Sequence, residues 1–584
     1  MKIYKKQFKD SLWIGLLLSF FTINGQEDEG AIGVQEVTVI KSYTPSLSEV
    51  FKIREQPIVI DSIVREKRKV IYSIFSIPVA STFIPSKGSA KVLQKKKSTP
   101  KYNATLSYSF GNFNNTILDH SAQINLDRTK QLSWLVHFKG LLKDMPEQIL
   151  SSKQSLALVH VGYRYSTNLI TSLSQLSFRS FSQNFYGLNE PIEDDIILSN
   201  LDPKQRINYL SVKSDWQWYN SILKKASVTA HLTTDSFSTN ELNLNIKSKF
   251  QISLGSIAIN ADPSLSYLNN KFASDYYTNE ASSFGSGISK INLSVSSGAS
   301  RFKFKAGAAV VFGFGDDFFD KKLFILPLLD VSFKPKKGNL TPFLKVSGEF
   351  NQNSFRSLSD QNPFVAPAII LKNTEIPYSI ELGTRTKLVS GWEFTMNAYY
   401  QKSKNAPFFR SFGYDNRNNQ FIAFRYGNSF EVIYNELQQF GFDASVLAAF
   451  KNGGYLSLQA QWRDYSVEET EAWNMPELQF DFNGNIKMFR KLFIQPNIKY
   501  IGARKNSYRE RFLVQNPQNA PYSESDLPSF VDAELKITYQ LTDLWEFYIK
   551  GENIFNAPEF HWANYQVYGS RFLIGFRYNF DLVL

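Results

Sequence analysis

The chain has 584 residues, 15% of them aromatic, and contains no cysteine. It therefore has no disulfides, no thiolate metal sites and no lipid anchor attached through a cysteine. Its net charge of +12 is spread along the sequence, which argues against nucleic-acid binding, because nucleic-acid-binding proteins concentrate their basic residues on one face.

The beginning of the chain is typical of a secretory signal. Several lysines precede an apolar run from Leu12 to Ile23, the order of charge and hydrophobicity found in signal peptides. We predict a signal peptide over residues 1–25. The run falls short of the ~20 residues that a transmembrane helix needs, and no other stretch is apolar enough for a spanning helix. Any insertion into a membrane must therefore use β-strands.

Residues 26–100 form a short N-terminal segment of mixed composition. It includes an extended stretch rich in β-branched residues, made of Glu36, Val37, Thr38, Val39 and Ile40. Such a stretch near a chain terminus suits pairing with the exposed strand edge of a partner protein. A plain β-strand within the segment is the alternative.

From residue 101 to the C-terminus, apolar and polar residues alternate in long segments. In the last segment one face carries Phe572, Ile574, Phe576, Tyr578 and Phe580. Alternation with period 2 indicates strands with one apolar and one polar face. The segments are as long as the ~9–11 residues of a strand that crosses a bilayer. We predict that residues 101–584 form an all-β, antiparallel transmembrane barrel of the outer-membrane type, with the apolar face toward lipid and a polar lumen.

The connections predict the size and topology of this barrel. Short turns, such as the one at 451–454, alternate with long polar stretches, such as 353–374 and 403–422. Bacterial barrels combine short periplasmic turns with longer extracellular loops and have an even number of strands. The spacing gives about 22 strands, and no helical segment is expected among them.

No motif for catalysis or for a cofactor is present. None of the five histidines belongs to an H-E-x-x-H motif, and there is no G-x-S-x-G elbow. We therefore expect no enzymatic activity, no metal site and no cofactor. Because serine is plentiful, a barrel hydrolase remains a formal alternative. His160 falls on the polar face of its strand, which predicts a position in the lumen.

One aromatic and basic loop is a candidate ligand site. It contains Phe408, Phe409, Arg410, Phe412 and Tyr414. Aromatic rings and guanidinium groups stack well on sugars and on aromatic siderophores. The alternative, which we favour, is that these residues pack on neighbouring loops and on the barrel rim.

The C-terminal part of the sequence, over about 375–580, resembles the TonB-dependent receptors. The stretch 551–556, Gly-Glu-Asn-Ile-Phe-Asn, is similar to the "x-N-L-F-N/D" element near the end of that family. It follows Phe530-Val531-Asp532, as it does there. Residues 568–572, Tyr-Gly-Ser-Arg-Phe, loosely resemble the family's entry into the last strand.

The resemblance implies a function and a set of partners. It implies passage of a solute across the cell outer membrane, with residues 36–40 as a TonB box. The partners would be outer-membrane lipid, the barrel-assembly machinery acting on the C-terminal aromatic face, and TonB or another envelope protein. A structural or envelope-assembly component is the alternative function, because the N-terminal segment is short for a plug. A reduced plug, the long loops or another protein would then close the lumen.

Overall fold

The computed structural model describes residues 102–582, apart from residues 190–191, 193, 279, 299–300, 317–321, 337, 388–390, 415–420, 469, 510–520 and 558. The predicted signal peptide and the stretch 36–40 lie outside the described residues.

Strands dominate the described part of the chain. They are β1 (Ala104–Gly111), β2 (Asn115–Asn125), β3 (Lys130–Leu141), β4 (Gln154–Ser166), β5 (Ile170–Asn184), β6 (Lys204–Trp218), β7 (Leu223–Asp235), β8 (Asn240–Leu254), β9 (Ile257–Phe272), β10 (Ser282–Ser297), β11 (Phe302–Gly315), β12 (Leu323–Phe333), β13 (Leu340–Asn351), β14 (Thr374–Lys387), β15 (Trp392–Ser411), β16 (Phe430–Ala449), β17 (Tyr455–Val467), β18 (Leu478–Lys487), β19 (Leu492–Ile501), β20 (Arg504–Arg509), β21 (Tyr522–Leu527), β22 (Phe530–Gln540), β23 (Trp545–Glu552), β24 (Phe560–Trp562), β25 (Tyr565–Gln566) and β26 (Arg571–Phe580). The helical elements are α1 (Asp195–Asn200), α2 (Phe355–Gln361) and the 3-10 turns Asn112–Asn114 and Ala423–Arg425.

Twenty-two of these strands form a closed antiparallel ring. Each pairs with its neighbours along the chain, β19 pairs with β22, β23 pairs with β26, and β26 pairs back with β1. The closing register runs from Ala104 opposite Phe580 to Gly111 opposite Leu573. The hairpins β20–β21 and β24–β25 lie outside the ring. The prediction of a barrel with about 22 strands is confirmed.

The outer surface of the ring is apolar. Val212 on β6 is 53% exposed and Ile574 on β26 is 71% exposed, because their side chains point away from the protein. Phe572, Phe576, Tyr578 and Phe580 lie on the same face of β26 as Ile574, as their alternation requires. At the first residues of β15 and β23, Trp392 and Trp545 are also exposed, in the position of an interfacial aromatic girdle.

The inner surface is polar, as predicted. His160 on β4 lies in the lumen, where its Nδ1 is 2.6 Å from Ser177 Oγ on β5. Glu552 on β23 is fully buried and is held by Lys550 at 2.6 Å and Arg571 at 2.9 Å. Lys550 lies on the same strand as Glu552, and Arg571 lies on the neighbouring strand β26. The buried charge of Glu552 is thereby paired, as a low-dielectric environment demands.

Both ends of the ring, at Ala104 and Phe580, lie on the same rim. Connections on that rim are short, such as residues 255–256 and 541–544, whereas the opposite rim carries residues 185–203, 352–373 and 553–570. The long loops mark the extracellular rim and the short turns the periplasmic rim. No helix in the described part of the chain is long and apolar enough to cross a membrane.

Two expectations about the loops were wrong. The described residues include the short helices α1 and α2, where no helical segment was expected. Each begins at a side-chain cap, Asp194 for α1 and Ser354 for α2, a local hydrogen bond that periodicity does not reveal. The expected loop 403–422 is also shorter, because β15 continues to Ser411 and pairs with β16 up to Phe430.

The two faces of one strand should respond differently to the same added charge. Val212→Arg places a guanidinium in the lipid on the outer face of β6 and should cost about 2–4 kcal/mol near the middle of the bilayer. Ser211→Arg, one residue away on the lumen face, is the matched control and should cost much less. Urea unfolding in phosphatidylcholine vesicles measures both. Equal losses would contradict the assignment of the faces.

Candidate functional site: a cap of inward-folded extracellular loops

Five extracellular loops pack together over the mouth of the barrel, and we call this assembly the cap. They connect β5 to β6 (185–203), β9 to β10 (273–281), β13 to β14 (352–373), β15 to β16 (412–429) and β23 to β26 (553–570). Their apolar side chains join those of strand ends in two buried clusters. The largest fully buried aromatic residues of these clusters are Phe185, Phe272, Tyr276, Phe355, Phe424, Phe430 and Tyr565.

Helix α2 of the β13–β14 loop lies inside the lumen. Its Asp360 pairs with Arg179 of β5 at 2.8 Å, and its Ser359 hydroxyl is 3.1 Å from the Tyr209 hydroxyl of β6. Arg179 and Tyr209 stand opposite each other on the inner face of the barrel. The loop therefore folds inward rather than rising into the medium.

A buried glutamate of the wall holds the beginning of α2. Glu241 at the start of β8 is 1% exposed. Its carboxylate accepts hydrogen bonds from the backbone N–H groups of Phe355 at 2.6 Å and Arg356 at 3.1 Å. Free N–H groups and the positive end of the dipole at a helix N-terminus favour a carboxylate there. The wall thus supplies the anion that fixes the position of the loop.

The cap joins opposite walls of the barrel. Asn428, just before β16, donates from Nδ2 to the carbonyl oxygen of Phe185, just after β5, at 2.7 Å. In a ring of 22 strands β16 is half a turn away from β5. Arg425 reaches a third loop, where a guanidinium N–H donates to the Asp275 carbonyl oxygen at 2.5 Å. These contacts span the whole mouth.

Tyr565 lies at the centre of the cap. Its ring stacks on Phe364 at 3.4 Å between centroids and meets the edge of Tyr186 at 4.9 Å, while its hydroxyl donates to the carbonyl oxygen of Asn428. Burial, and then Tyr186, raise the pKa of Tyr565 well above its ordinary value. The hydroxyl therefore remains a donor at any physiological pH.

The candidate ligand residues lie on and beyond the end of β15, and the structure does not bring them together on one open surface. Phe408 is buried against Trp473, and Phe409 meets the edge of Trp562 at 5.1 Å. Phe412 stacks on Tyr276 at 3.7 Å, and Tyr414 forms an isolated β-bridge with Tyr426. Their rings pack on neighbouring loops in the described arrangement, so a ligand could reach them only after the cap rearranges.

Arg410 belongs to a separate polar contact. Its Nε is 2.8 Å from Glu431 Oε1, and its guanidinium lies 3.6 Å from the centre of the Tyr522 ring. The Tyr522 hydroxyl donates to the same Glu431 oxygen at 2.7 Å. Burial, followed by Glu431, raises the pKa of Tyr522 above its ordinary value. This triad fastens the β15–β16 hairpin to the β20–β21 hairpin.

The motif that carries the family resemblance forms the base of the β23–β26 loop. Asn553 and Asn556 both adopt left-handed backbone conformations, with φ of 45° and 49°. The Asn556 side chain accepts from the Ser570 N–H at 2.9 Å, and the Ser570 hydroxyl donates to the Asn553 carbonyl oxygen at 2.9 Å. Asparagine tolerates this conformation better than most residues, which explains its use at this turn.

An unusual acid lies beside the β24–β25 hairpin. Glu559 is 1% exposed, one of its oxygens has no hydrogen-bond partner in the described part of the protein, and the other is 4.0 Å from His561 Nε2. Burial raises the pKa of Glu559 to about 7, Asp532 adds to the rise and Arg571 opposes it. Burial and then Arg504 lower the pKa of His561 to about 4, so the imidazole is neutral above that pH.

Within the described residues no group of three or more His, Asp and Glu side chains is arranged to hold a metal ion. No pattern in the sequence predicts the residues that anchor the cap, namely Glu241, Ser359, Asn428 and Tyr565. The capping pattern of Ser354 and Ser357 is the signal that could have revealed α2.

The fold is shared with solved outer-membrane receptors. The siderophore receptor PirA from Acinetobacter baumannii aligns with a TM-score of 0.59 at 12% identity, over 83% of this chain and 81% of that one. The ferripyoverdine receptor of the outer membrane of Pseudomonas aeruginosa aligns with a TM-score of 0.56 at 9% identity, over 83% and 72%. The FrpB iron transporter from Neisseria meningitidis aligns with a TM-score of 0.59 at 9% identity, over 82% and 81%.

At these identities the likeness establishes the fold. No model of a known protein family matches the sequence, and no curated protein matches it either. The chain therefore shares the barrel fold of these solved receptors, the fold that the resemblance of its C-terminal part implied.

The stability of the β24–β25 hairpin should depend on Glu559. Because its pKa rises from 4.5 unfolded to about 7 folded, the folded hairpin favours the protonated acid, and stability present at low pH is lost as pH rises through this window. Glu559→Gln should remove this loss of hairpin stability at higher pH. The stability of the hairpin is measured by the hydrogen-exchange protection factors of residues 559–566 between pH 5 and pH 8.

The control is Glu471→Gln, which removes a half-exposed loop glutamate paired with Lys505 at 2.7 Å. It should leave the pH dependence of the hairpin unchanged. Equal pH dependence in the wild type and Glu559→Gln would show that Glu559 is not the titrating group.

Proposed function

We propose that the protein is a receptor-type transporter that passes a solute across the outer membrane, and that it has no catalytic role. The observation that carries the proposal is the cap, because five loops close one end of a wide polar lumen. A 22-strand ring encloses far more space than its inward side chains can fill. A closure built from loops is one that can open without breaking the ring.

The neighbours in fold support this role. They are described as siderophore receptors and as an iron transporter. A solute would enter when the cap opens and would meet the aromatic and basic side chains at the end of β15, Phe408, Phe409, Arg410, Phe412 and Tyr414. These residues are proposed as a contact surface of the open cap. The C-terminal aromatic face at 572–580 is proposed as the signal for the barrel-assembly machinery.

Residues 36–40 are proposed as the strand that an energising partner such as TonB grips. An extended segment binds an exposed sheet edge through its own backbone N–H groups, and proline lacks that donor. The double variant Val37→Pro/Val39→Pro should therefore abolish binding to the purified C-terminal domain of TonB, measured by biolayer interferometry with the full-length protein.

Val37→Ala/Val39→Ala is its matched control, because it changes the same side chains and keeps the N–H groups. It should retain most of the affinity. Equal affinity of the proline variant and the wild type would exclude strand pairing at this segment.

A scaffold in an envelope-assembly complex is the second candidate. One observation favours it: the cap buries its own aromatic residues, such as Phe424 at 1% exposure and Tyr565 at 2%, and its described residues thereby present no open aromatic surface to a ligand. A scaffold would need a closed barrel and no path through it.

Conductance in planar bilayers separates the two candidates. In one variant a short Gly/Ser linker replaces residues 353–372, in a second residues 27–100 are deleted, and a third combines both changes. We expect the combined variant to form a large pore, because neither the inward loop nor the N-terminal segment remains. A silent combined variant would mean that the lumen holds no aqueous path, and the transport proposal would fail.

The single changes then show which part closes the barrel. A Gly/Ser linker of equal length in place of residues 219–222 is the control, because the β6–β7 turn lies on the periplasmic rim, away from the cap. It should not change the conductance. If deletion of 27–100 alone conducts as well as the combined variant, the cap is not a barrier to ions and the proposed gating by the cap is wrong.

A further inference from the structure

The lumen wall beneath the cap carries basic residues that lack acidic partners. Lys247 on β8, Lys290 on β10 and Arg356 on α2 line one polar cavity. None of the three forms an ion pair with a described acidic side chain. Of the two acids that also line the cavity, Asp360 is already paired with Arg179. Glu349 is therefore the one acid of the described lining left to balance the three cations, and the Arg356 guanidinium also lies 5.4 Å from the centre of the Tyr209 ring.

The strand register concentrates these charges. Lys247 and Lys290 stand on either side of Ser264 on β9, because both are registered opposite it. Two residues nearer the periplasm, Lys249 of β8 stands directly opposite Lys225 of β7. Like charges directly opposite on neighbouring strands are destabilising. The wall keeps them nonetheless, and an anion between them would relieve the repulsion.

Other parts of the lumen wall are arranged differently. On β13–β14 Lys345 lies 2.9 Å from Glu381, and on β18–β19 Lys499 lies 3.9 Å from Asp481. On β16–β17 Arg463 lies 2.7 Å from Asp443. There each cation has an acid on the neighbouring strand. On β22–β23 Lys536 also stands opposite a lysine, Lys550, but Lys550 pairs with Glu534 at 3.2 Å and with Glu552 at 2.6 Å. The wall under α2 differs in that neither Lys247 nor Lys290 has an ion pair with a described acidic side chain.

The cavity has the size and the neutral groups of a small-molecule site. Its volume is about 460 Å³, within the range of ligand pockets. Asn243, Asn245 and Ser264 present amides and a hydroxyl to it. His231 also lines it, and the buried Nδ1 of His231 has no hydrogen-bond partner among the described residues. These groups can form hydrogen bonds with alcohol hydroxyls, whereas the lysines can pair with an anionic group.

We propose that this cavity binds a small hydroxylated anion, bearing a carboxylate or a phosphate, during its passage through the barrel. The anion would lie between Lys247 and Lys290, with Arg356 above it and its hydroxyls toward Asn243 and Asn245. Lys249 and Lys225 line an adjoining cavity nearer the periplasm together with Asp215, which is paired with Lys213 at 3.0 Å. The proposal rests on the transport function and specifies its substrate class.

Because α2 forms the roof, the site also links the solute to the cap. Arg356 lines the cavity while its backbone N–H is held by Glu241. An anion that draws the Arg356 side chain downward acts on the same residue that fixes the helix to the wall. Occupancy of the cavity and the position of the β13–β14 loop are therefore coupled.

The test is to measure binding of glucose 6-phosphate and of citrate to the purified full-length protein in detergent by isothermal titration calorimetry. Glucose serves as the uncharged comparison. At least one anion should bind, and its affinity should fall as salt is added. Lys247→Gln/Lys290→Gln should weaken that binding about tenfold or more, the loss expected for a hydrogen bond to a charged group.

Lys345→Gln/Lys499→Gln removes the same charge from other parts of the lumen and should change the affinity by less than about twofold. Binding of glucose 6-phosphate alone would assign a phosphate, and binding of citrate alone a carboxylate; both support the site. It is overturned if neither anion binds, if glucose binds equally well, or if both double variants weaken binding equally. This result is independent of bilayer conductance, so either proposal can fail alone.

Discussion

The fold depends on one constraint, which is that hydrocarbon offers no hydrogen-bond partner to a peptide group. Every backbone N–H and C=O at membrane depth must be paired within the protein, and a sheet achieves this only if it closes on itself. The pairing of β1 with β26 therefore removes the last two free edges. Closure at 22 strands has a cost elsewhere, because the lumen becomes too wide for the inward side chains to fill. The extracellular loops fold inward and close that wide lumen at one end.

The cap combines apolar burial with a few polar anchors that fix its position. Stacked rings such as Tyr565 on Phe364 supply contact area, but apolar contacts alone do not select one arrangement. Glu241 at the start of α2 and Asn428 across the mouth are buried, and their hydrogen bonds have strict geometry. An unpaired buried polar group is costly, so any displacement of the loops raises the energy of these anchors.

The sequence predicts the strands and their two faces, which lipid and water impose. It does not predict the structure of the loops, which depends on contacts between residues far apart in the chain. Lipid on one side and water on the other force the alternation seen at residues 572–580, and strand number and face follow from it. The loop residues show no comparable alternation of apolar and polar side chains. Helix α2 is too short to show a helical period, and Phe408 was expected in a loop because its pairing with Ile433 of β16, across the 412–429 connection, is not visible in the sequence. The basic wall was invisible for the same reason, since only the register places Lys247 and Lys290 around Ser264.

The contact between Asn428 and Phe185 also has a mechanical meaning. A tube with a wall one strand thick flattens easily under sideways load, because bending it changes only the angles between neighbouring strands. A strut between opposite sides of its rim, here the junction of the β5 and β16 ends, keeps the cross-section round. Lateral pressure in the surrounding lipid is thereby carried partly by the loops. When the strut is released the rim becomes compliant, so the stiffness of the membrane contributes to the work of opening the mouth.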